Sequence, residues 1–165
     1  MTARPRIRLE PFGIEALDMR PAQNAIRIKY GPRYFADDAC LREVAALWGI
    51  DPKHEGINDS GVFIPYKKIE HRAGRCRAEI RYARSPSGLY AMDTSYMTAM
   101  CGGGAAPSVW NRVAFLSEAD ARAAGLNEMI ERFRGIAAQG GSDSADARKL
   151  IALLEAERTP QLALF

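Results

Sequence analysis

The fold class turns on R-C-R-A-E-I-R-Y-A-R, residues 75–84. Cys76, Ala78, Ile80 and Tyr82 alternate with Arg75, Arg77, Glu79 and Arg81, and Arg84 is read with the charged set. An extended chain sends successive side chains to opposite faces. This segment is therefore a strand with one face on a core and the other toward solvent or a ligand. Ser85-Pro86-Ser87-Gly88 supplies turn residues, and residues 89–100 return as a second strand, so the pair reads as a hairpin. Helical patterns flank it. The class that follows is α+β, a small antiparallel sheet of about four strands packed by about three helices.

Upstream, Arg4, Arg6, Arg8 and Arg20 are interspersed with prolines at positions 5, 11 and 21. Proline fixes φ and removes a donor, so residues 1–24 are expected as an extended arm or edge strand packing Ile7, Leu9 and Phe12 on the core. A-I-R-I-K-Y, residues 25–30, alternates apolar and basic side chains and reads as a half-buried strand ended by Gly31-Pro32. Asp37 or Asp38 then caps a helix running to about Trp48, with Leu41, Val44, Ala45 and Trp48 on its buried face. Gly49 and Ile50 fit its C-terminal cap. Residues 51–61 form a polar loop, and G-V-F-I-P-Y, residues 61–66, reads as a short apolar strand whose Pro65 implies an edge or an end.

Downstream, residues 101–110 open on Cys101 and three glycines and read as a connection out of the sheet. Consecutive glycines can form an anion nest, but no lysine-serine pair or helix follows directly. Trp110 reads as an anchor against the core. Ser117 caps a second helix, with Asp120 three residues on and a stripe of Ala119, Ala123, Leu126, Ile130, Phe133 and Ala137. Gly125 inside it costs ~1 kcal/mol relative to alanine, which signals close approach to a strand. Residues 139–143 break the pattern. A third helix over residues 144–158 buries Ala147, Leu150, Ile151 and Leu154, and Thr159-Pro160 stops it. The organisation expected is one domain over residues 1–158 followed by an extended peptide over 159–165.

At 165 residues, 47% hydrophobic and 26% charged, the composition is that of a globular domain. No apolar run approaches the ~18–20 residues of a membrane span, and the first residues lack the apolar core of a secretory signal. Cys40, Cys76 and Cys101 are odd in number without paired spacing, so reduced thiols in a cytoplasm are expected. The net charge of +3 is small but uneven. Lys67, Lys68, Arg72, Arg75, Arg77, Arg81 and Arg84 crowd residues 67–84 against Glu70 and Glu79, a candidate surface for a phosphate backbone. The competing reading is a solvated basic strand pair. His54, Glu55, Asp59, His71 and Cys76 are the only candidates for chemistry. Their spacing fits no metal or nucleophile template, so no catalytic residue, metal or cofactor is assigned.

The remaining signal is Gln161-Leu162-Ala163-Leu164-Phe165. It resembles the motif by which bacterial proteins dock on the β sliding clamp of DNA replication: a glutamine, a leucine, a small or polar residue, a leucine and a phenylalanine. Ala163 stands where serine or aspartate is more usual. The resemblance covers only this pentapeptide, so it implies a partner and nothing about the fold. It implies that Leu164 and Phe165 fill the clamp's hydrophobic pocket and Gln161 hydrogen-bonds in a smaller one; in an extended pentapeptide Leu162 points the same way as Leu164. Burying three such side chains contributes ~5–8 kcal/mol before ordering costs. A net affinity near micromolar, about −8 kcal/mol, describes a tether that releases. The order of elements, with Gly102 to Trp110 before an alanine-rich helix and the terminal motif, is also similar to small accessory proteins of bacterial mobile elements.

The function expected is a non-enzymatic accessory protein of DNA replication, repair or a mobile element, holding the clamp by its tail and DNA by its basic hairpin. The alternatives are a phage- or plasmid-type inhibitor occupying the clamp cleft, a clamp-tethered enzyme acting on DNA, and a plain interaction module.

Overall fold

The computed structural model describes residues 4–51 and 56–158. Strand β1 (Arg6–Leu9) turns through Gly13, whose φ of +64° favours glycine, into β2 (Ile14–Asp18). Helix α1 (Arg20–Tyr30), a 3₁₀ turn (Tyr34–Ala36) and helix α2 (Asp38–Ala46) follow. Then come β3 (Lys67–Ala73), β4 (Cys76–Arg84), β5 (Tyr90–Met97), β6 (Gly102–Gly104) and β7 (Val113–Phe115). Helices α3 (Glu118–Ala138) and α4 (Ser144–Arg158) complete the described chain. The strands form one antiparallel sheet ordered β1-β2-β7-β5-β4-β3, with β6 also on β5. The class is α+β, with more strands and one more helix than the sequence suggests.

The alternation in β4 has the expected consequence on one side. Cys76, Ala78, Ile80 and Tyr82 are buried with Ile14 and Ala16 of β2, beneath Leu126, Met129, Ile130 and Phe133 of α3 and Ala147, Leu150 and Leu154 of α4. Each fully buried large side chain contributes ~1.5–3 kcal/mol. α3 begins where Ser117 accepts the Asp120 amide at 3.1 Å, the cap expected of this pair. Gly125 meets β4 and β5 as anticipated. A Cβ there would press on Ile80 and lie 3.2 Å from Met92 Sδ.

The opposite face carries a second core at one end only. Trp48, Val44, Leu41 and Cys40 of the α2 region pack with Met19, Phe63, Val109, Ala83, Ala91 and Ala114. Asp37 caps α2 by accepting from the Ala39 amide at 2.9 Å, and Trp48 Nε1 donates to the Val109 carbonyl at 2.9 Å. The odd-numbered residues of β4 are thus split, with Ala83 in this core while Arg77, Glu79 and Arg81 lie on a stretch of sheet that no helix covers.

Three expectations are corrected. Residues 25–30 are the second half of α1, not a strand, and Arg20–Asn24 belong to the same helix. Pro21 opens it, where a missing N–H is tolerated, and Ala22, Gln23, Ile26 and Tyr30 follow at helical spacing. Six alternating residues are too few to separate the two periods. Residues 61–66 form no regular strand. They make isolated bridges, with Phe63 N donating to Pro107 O at 3.0 Å and Val109 N to Gly61 O at 2.9 Å. Gly102–Gly104 is not a connection leaving the sheet but strand β6 itself. The glycines let it approach β5, since a Cβ on Gly104 would stand 2.5 Å from Ser95 Cβ.

Candidate nucleic-acid interface

The seven basic residues of the hairpin do not act together. Register places Lys68 opposite Arg81, Glu70 opposite Glu79 and Arg72 opposite Arg77, and opposed residues share a face. Lys68, Arg72, Arg77 and Arg81 therefore meet on the uncovered face. Lys67 is opposite Tyr82, on the helix-covered side, and its Nζ lies 3.3 Å from Glu118 of α3. Arg84 is opposite Tyr90, in register with Tyr82, so its assignment with the odd-numbered charges is corrected. Arg75 sits at the β3–β4 turn, where its amide donates to Asp146 at 3.1 Å.

On that face two carboxylates lie between the cations. Glu79, almost wholly buried, accepts from Arg81 at 2.5 and 2.8 Å, with Lys68 and Arg77 both 3.6 Å away. Glu70 pairs with Arg72 and, at 3.1 Å, with Lys68. The Arg72 guanidinium first and the Lys68 ammonium second hold the Glu70 carboxyl down to about 2. Asp93, opposite Arg81, is a third carboxylate on this face, so the four cations leave a surplus of one charge. Arg77 Nε is buried without a hydrogen-bond partner. Ser95, Gly102 and Gly104 extend the surface as a flat floor beside Met97. A phosphate backbone laid here meets donors already turned toward glutamates, which weakens the site relative to a bare basic stripe.

The candidates for chemistry are scattered. His71 Nε2 lies 3.6 Å from Glu157 on the helix-covered side, and Cys76 is buried, where desolvation pushes its thiol up, away from nucleophilic character. Asp59 lies on an exposed loop, and His54 and Glu55 fall outside the described residues. Among the described residues no three His, Cys, Asp or Glu side chains are grouped to hold a metal. Gln161, Leu162, Leu164 and Phe165 also lie outside the described residues.

Two features escape the sequence reading. A cleft of about 500 Å³ opens where β7 parts from β5, walled by Phe12, Ile14, Met92, Val113 and Phe115 with Asp93 and Glu128 at its rim. Asn111 Nδ2 spans the parting, donating to Met92 O at 3.3 Å and Asp93 Oδ2 at 3.2 Å. The second is a stack of Arg27, Tyr34 and Trp110, whose members are too far apart in sequence for any local pattern to join.

No protein-family model, curated protein or solved structure matches the chain. Among the described residues no helix is long and apolar enough to cross a membrane.

Proposed function

We propose that this chain is a non-enzymatic accessory protein of DNA replication, repair or a mobile element, tethered to the bacterial β sliding clamp by residues 161–165. The observation that carries the reading is the pentapeptide Gln161-Leu162-Ala163-Leu164-Phe165. The described body is consistent with a carried ligand, because Leu150 and Leu154 of α4 are already buried against α3 and the sheet. The uncovered face of β3 and β4 adds a weak phosphate contact through Lys68, Arg72, Arg77 and Arg81. A micromolar tether and a weak second contact reinforce each other through effective concentration on clamp-loaded DNA.

Deleting residues 161–165 is expected to abolish co-elution with purified clamp and to leave the melting temperature of the body unchanged. Equal clamp binding by the truncated protein rejects the reading. A competition assay on primed DNA separates accessory from inhibitor: an inhibitor stops clamp-dependent synthesis, whereas a tethered accessory barely slows it.

A further inference from the structure

The segment that forms α1 and the 3₁₀ turn, residues 20–36, contains Arg20, Arg27, Lys29 and Arg33 and no aspartate or glutamate. Arg20 is taken by Asp18 and Lys29 by Glu43, both in ion pairs. Among the described residues neither Arg27 nor Arg33 forms an ion pair. Two carboxylates of the α2 region are engaged elsewhere. Asp37 caps α2, and Glu43 accepts from Tyr30 as well as Lys29. Arg27 Nε is buried without a hydrogen-bond partner.

Aromatic rings flank the Arg27 charge. The Arg27 guanidinium lies 4.7 Å from the Tyr34 ring centre and 5.6 Å from that of Trp110. Tyr34 in turn contacts Phe35 edge-on at 5.8 Å. Phe35 is 73% exposed and Ile28 82% exposed, so both present apolar surface to solvent or a ligand. The stack is braced from below: Gln23 Nε2 donates to the carbonyls of Val109 and Asn111, on either side of Trp110.

We infer that this surface binds single-stranded nucleic acid, with a base stacked on Phe35 and phosphates held by Arg33 and the free edge of Arg27. The charge selects an anion, and the exposed ring selects an anion that carries flat apolar faces. A duplex presents phosphates but keeps its base faces covered, whereas a single strand offers both. The site is separate from the β3–β4 face, and it is independent of the clamp reading because it uses nothing beyond residue 158.

The test is fluorescence anisotropy of the full chain with a labelled oligothymidine of roughly 16 nucleotides, against a duplex of equal length, over a salt series. Tighter binding of the single strand is expected, with quenching of Trp110, since Trp48 is fully buried. Phe35→Ala alters an exposed ring and is expected to weaken binding about tenfold without changing the salt slope. Arg33→Glu is expected to weaken binding and flatten the slope by about 0.7, the value of one lost phosphate contact on a single strand. Arg72→Ala, on the sheet face, is expected to leave single-strand affinity unchanged. The inference is overturned if the oligothymidine does not bind, if the duplex binds as tightly, if Phe35→Ala binds like the parent, or if Arg72→Ala alone removes binding. Deletion of residues 161–165 leaves these results unchanged, so the two readings fail separately.

Discussion

Glu70 sits between Arg72 and Lys68, and its carboxyl is held to about 2, against an ordinary 4.5. A carboxyl lowered in the folded state stabilises it fully above the unfolded value, and that contribution is lost as pH falls through the folded value. The window is therefore about 4.5 down to 2. Glu70→Gln is expected to lower the urea midpoint at neutral pH and to fall less steeply through that window. Superimposable pH profiles for parent and variant reject the pairing as a source of stability. Neither Arg72 nor Lys68 announces this pairing in the sequence. Their spacing from Glu70 is visible, but Glu79 joins the group only through the β3–β4 register.

At the scale of elements, α3 shows how a local cost is retained for a tertiary fit. Gly125 presses on Ile80 and Met92 without room for a Cβ, whereas a Cβ on Gly135 in the same helix would meet nothing within 4 Å. Gly135→Ala is expected to stabilise by about 0.5–1 kcal/mol from backbone entropy alone. Gly125→Ala should instead destabilise by about 1–3 kcal/mol, because overpacking outweighs that gain. Chemical denaturation of the pair decides, and equal stabilisation by both would remove the close-approach argument. Helices α2, α3 and α4 were legible because their stripes run long and their caps, Asp37 and Ser117, precede them. α1 was not, because its short alternating run satisfies two periods, and the choice is made by Gln23 reaching across to the chain around Trp110.

For the whole molecule, one sheet carries both cores. Ala78 and Ile80 face α3 and α4, while Ala83 and Ala91 face the Trp48 cluster. Neither core can dissolve without baring the sheet beneath the other. Trp48 emission, reporting one core, and helical ellipticity, dominated by α3 and α4, are expected to follow the same urea transition. Two separated transitions would mean that the halves unfold independently. This arrangement also explains the uncovered sheet face: the helices that pack on that side, α1 and α2, reach only one end of it.

The α+β class, the buried face of β4 and the three later helices could be read from the chain alone, as could the pentapeptide on which the clamp proposal rests. These rest on periodicity, caps and a short motif, all local properties of the chain. It took the folded structure to make Arg20–Tyr30 a helix, three glycines a strand, and the hairpin's arginines partners shared among glutamates. It alone brought Arg27 beneath Trp110 beside an exposed Phe35. Those outcomes depend on strand register and on contacts between distant segments, where burial and close packing override local preference.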